Sequence, residues 1–235
     1  MRLLREFRVE QTDPARFYGA LARDSVEQLA SWTPLEGELV LDVGGGPGYF
    51  RDAFTDAGAR YVALDADAGE LAGLGDPEGE TVLGSGMALP FRDDVIDVCY
   101  SSNVLEHVPD PWRMADEMLR VTRPGGLVFL SWTVWWGPWG GHETSPWHYL
   151  GGRRARRRYR RRHGHEPKNR FGESLFAVTV AAGLRWGRAA DARPDVELVA
   201  ALPRYHPWWA WWIIRVPVLR ELLTWNLVLV LRRTA

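Results

Sequence analysis

Short apolar runs recur along the first half of the chain and alternate with amphipathic stretches. Four continuous runs lie at 38–43, 61–65, 95–101 and 127–132. Such runs are typical of strands that are buried on both faces of a sheet. Helical patterns at 48–57 and 112–121 separate the runs. Because strand and helix alternate, the pattern predicts an α/β fold with right-handed crossovers and a mostly parallel sheet.

A helical pattern also precedes the first strand. Apolar residues recur at roughly helical intervals over 14–31, at Phe17, Leu21, Val26 and Leu29. Asp13 before Pro14 is a suitable cap and first-turn pair for this helix.

The pattern changes after Trp132. A Gly- and Trp-rich loop extends to 152, an arginine-dense helix follows to about 163, and a further helix is expected from Phe171 to Ala190. Apolar runs at 196–202 and 223–231 predict a closing strand pair that flanks a tryptophan-rich segment. We expect about seven strands in one domain over 1–235, with a core at 35–132, a cap at 133–190 and a closing unit at 195–232.

Composition narrows the class of protein. A chain of 235 residues with 46% hydrophobic and 25% charged residues can bury one good-sized core. With 29 basic and 30 acidic residues, the whole chain offers no electrostatic reason to bind nucleic acid. Cys99 lies in an apolar run and is expected as a buried thiol. The sequence shows no secretory signal pattern and no apolar stretch of about 18 residues, so we expect a cytoplasmic location.

The sharpest chemical signal is the segment LDVGGGPG. Asp42, Gly44, Gly46 and Gly48 occupy every second position between a predicted strand and a predicted helix. Glycines there allow a tight turn and close approach of a ligand, and the helix start offers free amide donors. A dinucleotide fingerprint starting at Gly44 would need glycine where Tyr49 stands, and the phosphate loop of nucleotide triphosphatases is also absent.

The D-x-G-x-G-x-G pattern at 42–48 resembles the first motif of class I S-adenosylmethionine-dependent methyltransferases. Three further stretches resemble that family: VALDAD around Asp65, GSGMALPF at 84–91 with the strand that follows it, and RPGG at 123–126. Together they cover about 35–132. The resemblance implies a Rossmann-like, doubly wound sheet of seven strands with an antiparallel last strand and a helical and loop cap.

The resemblance also implies roles for individual residues toward S-adenosylmethionine. Asp65, with Ala66 beside it, would bind the ribose hydroxyls. The turn at Ser85, Gly86 and Met87 would hold the adenine, with Ser85 where the family often has aspartate. Asn103 would face the methionine part of the cofactor or cap the next turn. The implied cofactor residues are Asp42, Gly44, Gly46, Gly48, Asp65, Ala66, Ser85, Gly86, Met87 and Asn103.

Methyl transfer to oxygen needs a base, and histidine titrates near neutral pH. His107, after the fourth strand of the family pattern, and His142 with Glu143, in the loop after the fifth, are the catalytic candidates. No clustered thiols or carboxylates complete a ligand set in the sequence, so no metal is expected.

The cap suggests the acceptor. Of the 13 tryptophans, five stand between 132 and 147, and four of the residues from 208 to 212 are tryptophan. The later cluster could lie at a membrane interface or pack on the sheet, and packing is favoured. Eight arginines at 153–162 could hold a phosphate or an anionic membrane, form salt bridges, or be a solvated face, with nucleic acid the weaker alternative.

Residues 140–172 are similar to a group of actinobacterial-type methyltransferases associated with cell-envelope glycolipids. We therefore expect methyl transfer to a hydroxyl of a saccharide or lipid-linked acceptor at the inner face of the membrane, with peripheral contact to anionic lipid. The alternatives are a quinone or small phenol as acceptor, and a non-catalytic module that binds S-adenosylmethionine. A nicotinamide-dependent oxidoreductase is a remote third class.

Overall fold

The computed structural model describes residues 14–72 and 80–234, with side chains from Tyr18 onward. Asp13 and the side chain of Phe17, which belong to the predicted first helix, lie outside the described residues. Helices α1 to α7 span Pro14–Ala30, Arg51–Asp56, Ala68–Leu71, Pro111–Val121, Gly152–His163, Val180–Asp191 and Leu219–Leu223. Strands β1 to β7 span Leu39–Val43, Arg60–Asp65, Glu80–Leu83, Ile96–Ser102, Thr122–Thr133, Val196–Pro203 and Asn226–Arg233.

The described strands form one seven-stranded sheet in the order β3-β2-β1-β4-β5-β7-β6. The pairs from β3 to β5 are parallel, whereas β7 is antiparallel to both β5 and β6. The doubly wound sheet with an antiparallel last strand is therefore confirmed.

Two layers of apolar side chains cover the sheet, one on each face. Leu41 and Val43 of β1 pack into the layer that also holds Met114 and Met118 of α4. Val40, which precedes Leu41 and points to the opposite face of the strand, packs into the other layer. Burial on both faces explains why the parallel strands appear in the sequence as continuous apolar runs.

The strand boundaries show what the apolar pattern missed. β3 at Glu80–Leu83 is partly exposed at the sheet edge, and its sequence ETVL has no continuous apolar run. β5 begins at Thr122, five residues before the predicted run. The register with β4 shifts there, because Thr122 pairs with Ile96 whereas Leu127 pairs with Val98. The segment RPGG is thus an irregularity inside β5.

The predicted helix at 171–190 is wrong in its first half. Gly172 has φ +83°, and the amides of Glu173, Ser174 and Leu175 all donate to the Arg170 carbonyl in a tight turn. α6 starts only after Thr179, whose hydroxyl accepts a hydrogen bond from the Ala182 amide at 3.1 Å.

The favoured packing of the tryptophan-rich segment is only partly right. Residues Trp208–Arg215 form a 3₁₀ helix that buries Ala210, Ile213 and Ile214. Its four tryptophans are exposed, with Trp208 at 77% and Trp209 at 65% of their full accessible surface. Residues 219–223 form α7, so the closing strand begins at Asn226 rather than 223.

Candidate active site

The carboxyl ends of β1 and β4 lie side by side at the point where the strand order reverses. From β1 the chain moves outward to β2 and β3, whereas β4 and β5 lie on its other side. Open α/β sheets bind ligands at this position because the loops after the two strands diverge and leave a crevice.

The glycine loop after β1 supplies the first wall of this crevice. Gly44, Gly46 and Gly48 have φ values of +81°, +48° and +86°, which side chains rarely adopt. A Cβ at Gly44 would overlap the side chain of Val104, whereas a Cβ at Gly46 would meet nothing within 4 Å. Gly44 therefore permits close packing of two loops, and Gly46 borders open space where a ligand has room.

Asp42 lies beneath this loop and is only 2% exposed. The Tyr61 hydroxyl donates to its Oδ2 at 2.6 Å. Burial raises the pKa of Asp42 to about 7, and Tyr61 partly offsets that rise. A cation bound nearby would favour the ionised form.

Asp65, at the end of β2, joins two loops. Its Oδ2 accepts from the Gly46 amide at 3.1 Å and its Oδ1 from the Asp67 amide at 3.0 Å. Ala66 beside it is exposed. Since each carboxylate oxygen can accept more than one hydrogen bond, Asp65 can still bind the two hydroxyls that the resemblance implies.

The turn at Ser85, Gly86 and Met87 lies against these loops, because the Gly84 amide donates to the Asp65 carbonyl at 2.9 Å. The Ser85 hydroxyl oxygen accepts from the Met87 amide at 3.2 Å and keeps its own proton free to donate. A Cβ at Gly86 would press on Val43 and Met114. The turn is therefore packed tightly against the crevice wall.

Asn103 directly follows β4 and has φ +58°. Its Oδ1 accepts from the Asn226 side-chain amide at 2.8 Å, so part of the carboxamide is bound to the antiparallel strand β7. This contact joins Asn103 to β7 and leaves its amide nitrogen for other partners, so its role toward the cofactor stays a prediction.

The structure brings His107 and His142 together although they are 35 positions apart. His107 ends a 3₁₀ turn at Leu105–His107 and His142 begins another at His142–Thr144. Their rings meet edge to face with centroids 5.0 Å apart. His107 Nδ1 lies 2.8 Å from the Ser174 carbonyl, which can only accept, so the proton is on Nδ1 and Nε2 carries the free lone pair.

Glu106 is the residue that sequence reasoning missed. It is 1% exposed, its Oε1 accepts from the Thr133 amide at 2.9 Å, and its Oε2 has no partner among the described residues. His142 Nδ1 is likewise buried without a partner there. Burial and His107 lower the pKa of His142 to about 4, so this ring is neutral at pH 7. A glutamate in an apolar stretch without a nearby Lys or Arg was the available signal.

Glu143 does not join this group. Its Oε1 accepts from the Asn169 side-chain amide at 3.0 Å, and the residue lines a depression beside α5 with Arg158 and Arg162. Glu143 therefore connects the histidine pair to the arginine-rich helix.

The non-helical segment before α6 closes this site. The Phe176 amide donates to the Glu106 carbonyl at 2.7 Å, and the Ser174 carbonyl binds His107. The turn found where a helix was predicted therefore holds Glu106 and His107 in place.

Glu106, His107 and His142 offer ligand atoms within 4.8 Å of one another, close enough to share a metal ion. The premise that no ligand set is assembled is therefore wrong. The metal-free site stays a prediction, and a chelator tests it. Across the part of the chain that the structure describes, no helix has the length and apolarity to cross a membrane.

Comparison with known proteins gives one family. A family model described as a methyltransferase domain matches residues 41–130. A protein of Mycolicibacterium gilvum, described as an uncharacterized methyltransferase, is 58% identical over 100% of this chain and 94% of its own length. A protein of Mycobacteroides abscessus with the same description is 56% identical over 98% of this chain and 92% of its own.

A solved structure agrees at the level of the fold. The S-adenosylmethionine-dependent methyltransferase of Mesorhizobium loti superposes with a TM-score of 0.60 at 20% identity, over 90% of this chain and 98% of that one.

Proposed function

Because the chain belongs to the class I S-adenosylmethionine-dependent methyltransferases, we propose that it methylates a hydroxyl group of a saccharide or lipid-linked acceptor. The observation that carries this proposal is the group of Glu106, which is buried, with His107 and His142, which are partly buried; it begins two residues after Val104, whose side chain packs against Gly44. An oxygen acceptor must lose a proton during methyl transfer, and this group offers lone pairs that can receive it.

The described residues fit the cofactor. Open space at Gly46 leaves room for a ligand against the loop, and the Gly84 amide, next to Ser85, donates to the Asp65 carbonyl. S-adenosylmethionine supplies an activated methyl group on a sulfonium. The buried carboxyl of Asp42 would be stabilised as the anion by a cation above it. We assign Asp42, Gly44, Gly46, Gly48, Asp65, Ala66, Ser85, Gly86, Met87 and Asn103 to cofactor binding.

The histidine pair has the features of a proton acceptor. The Ser174 carbonyl fixes the His107 tautomer with Nε2 as an acceptor, and the neutral His142 has an Nδ1 with no partner among the described residues. The Glu106 carboxylate would stabilise an imidazolium formed on either ring. Glu143, on the arginine side, would position the acceptor rather than take its proton.

A lipid-linked acceptor would require the enzyme to work at a membrane surface. We propose a cytoplasmic enzyme that contacts the anionic inner face of the membrane through the exposed tryptophans of the 208–215 helix. An apolar ring with a polar N–H suits the interface between lipid and water. Nucleic acid is not expected as a partner, because 29 basic residues are balanced by 30 acidic ones.

Calorimetric titration with S-adenosylmethionine and then S-adenosylhomocysteine tests the cofactor site. We expect both to bind. Transfer of labelled methyl groups to saccharides, glycolipids, quinones and phenols then tests the acceptor. If only quinones or phenols become labelled, they replace the saccharide or lipid-linked compound as the proposed acceptor. Binding without transfer to any acceptor would favour a non-catalytic module, which the uncharged Ser85 at the adenine turn makes the second candidate.

Substitution of the histidine pair tests the catalytic group. We expect His142→Ala and His107→Ala each to slow transfer by about 100-fold or more, while cofactor affinity is unchanged. His165→Ala is the matched control, because His165 is exposed and its described contacts are with the Glu166 carbonyl, Tyr159 and His163 rather than with the histidine pair. Turnover of both variants at the wild-type rate would exclude the pair as base.

A chelator separates proton transfer from metal chemistry in the same group. We expect dialysis against EDTA to leave the transfer rate unchanged. A loss of activity that a divalent cation restores would instead identify Glu106, His107 and His142 as metal ligands.

A further inference from the structure

Six of the eight arginines of α5 fall into two sets that the sequence could not separate, and the other two, Arg153 and Arg157, are exposed. Arg156 donates to Glu166 and Glu173 at 2.7 Å each, and Arg160 donates to Glu166 at 3.2 Å. These two residues are one helical turn apart and form an ion-pair network with the segment after the helix. This set has a structural role.

The second set has no acidic partner within the described part of the chain. Arg154, Arg158, Arg161 and Arg162 recur at helical intervals and share one face of α5. Like charges at such spacing repel one another, and the first turn of α5 contains no acidic residue to offset them. A solvated face of this kind costs stability unless an anion occupies it.

This face lines a depression of about 550 Å³ whose other walls are apolar. Trp147, Leu150 and Ala155 complete the lining, and none of the described lining residues is acidic. The Arg158 guanidinium carbon lies 3.9 Å from the Trp147 ring centroid, which fixes the cation over the aromatic face. The depression thus combines several guanidinium groups with one flat apolar wall.

The depression leads toward the catalytic group. A second depression of about 190 Å³ shares Trp147, Ala155, Arg158 and Arg162 with the first and is also lined by Glu143, which follows His142 in the chain. A ligand that binds the arginine face can therefore extend toward the histidine pair.

We propose that the unpaired arginine face of α5 binds a phosphate or diphosphate group of the methyl acceptor. Arginine forks bind phosphate oxygens in pairs, and four guanidinium groups match a doubly charged anion better than a single carboxylate. Trp147 offers a stacking surface for a sugar ring next to the phosphate. The site deepens the proposed function and rests on it, since it assigns an anionic group to the acceptor.

A matched pair of variants tests the site. Arg154→Ala/Arg158→Ala removes two lining residues, whereas Arg153→Ala/Arg157→Ala removes the same charge at the same spacing from exposed positions of α5 that do not line the depression. Calorimetric titration with inorganic pyrophosphate at fixed ionic strength is the measurement. We expect the first variant to lose roughly tenfold or more in affinity and the second to stay close to wild type. Equal loss in both variants, or no pyrophosphate binding by wild type and no vesicle binding that depends on Arg154 and Arg158, would overturn the proposal.

Two further arms identify the source of the phosphate. Glucose 1-phosphate tests a soluble sugar phosphate, and phosphatidylcholine vesicles with and without phosphatidylglycerol test a lipid headgroup. Loss of either interaction in Arg154→Ala/Arg158→Ala alone supports the site and names the source. If a short RNA or DNA binds more tightly than these probes and its binding depends on the same two arginines, the ligand of this face is nucleic acid rather than the methyl acceptor. Titration with S-adenosylmethionine in every variant reports on the cofactor site separately. A failure of the proposed anion site can therefore be distinguished from a failure of the proposed function.

Discussion

Gly46 combines a left-handed backbone with empty space beside it. We expect Gly46→Val to abolish measurable binding of S-adenosylmethionine in calorimetry, because the branched side chain would fill the space left for the ligand. Gly164→Val is the control: Gly164 also has positive φ and nothing within 4 Å, but it ends α5 far from the loop in sequence. Both changes strain the backbone by about 1–3 kcal/mol. Wild-type affinity in Gly46→Val would remove the loop from the cofactor site.

Asp42 makes stability depend on pH. Its pKa is raised from 3.8 to about 7 by burial, so the folded state favours the protonated carboxyl. The contribution is therefore most favourable below about pH 4, is lost as pH rises toward 7, and then stays constant. For this fully buried group the loss is on the order of 4 kcal/mol.

We accordingly expect Asp42→Asn to raise the free energy of unfolding relative to wild type at pH 8 but not at pH 4. Urea unfolding across that range measures the difference. Asp52→Asn, at an exposed position of α2, should show no such trend. If the free energies of unfolding of Asp42→Asn and wild type differ by the same amount at all pH values, the pKa of Asp42 is not raised by folding.

Single residues were predictable where one residue type alone meets the local requirement. The glycines of the loop were recognisable in the sequence because positive φ excludes most other residues. For Glu106 the sequence offered only an isolated acidic residue as a signal, since its partners Thr133 and His142 are brought beside it only by the folded sheet. The contact between Asn103 and Asn226 was not predictable for the same reason, because the two residues are 123 positions apart.

Arg204 joins α1 to the ends of β4 and β5. Its buried guanidinium donates to Asp24 at 3.2 Å and to Ser25, Ser102 and Ser131. We expect Arg204→Leu to lower the free energy of unfolding by about 3–5 kcal/mol, because Asp24 and three hydroxyls lose their shared partner. Urea denaturation measures the loss. Arg185→Leu, an exposed change on α6, should cost within about 0.5 kcal/mol, and equal costs would refute the role of Arg204.

Elements were predictable where burial on two faces produced a continuous apolar run. β1, β2, β4 and the second half of β5 match such runs, whereas the edge strand β3 does not. The error at 171–179 has a different cause. Leu175 is buried and Phe176 partly so, which suits a helix, but the turn around Gly172 and contacts with the 105–107 turn decide the backbone there.

At the scale of the whole molecule, the net charge is nearly balanced, but acidic and basic side chains are unevenly distributed around α5. The acids that pair with α5 lie after the helix, which leaves one of its faces unpaired. Composition could therefore exclude a uniformly basic protein but could not locate the arginine face. The tryptophans follow the same rule: their number indicated a special surface, and only the fold separates the exposed Trp208 and Trp209 from the buried Trp132.

The exposed tryptophans lead to a test of membrane contact. We expect wild type to float with phosphatidylglycerol-containing vesicles and Trp208→Ser/Trp209→Ser to lose roughly tenfold or more of that binding, since two large rings no longer enter the interface. Leu83→Ser/Val95→Ser is the control, because both residues are exposed and apolar but belong to the β3 side of the sheet. Unchanged cofactor affinity shows that each variant is folded. If both variants float as wild type does, the tryptophans do not bind lipid; if both lose binding equally, vesicle contact reflects general hydrophobicity and the 208–215 helix is not its site.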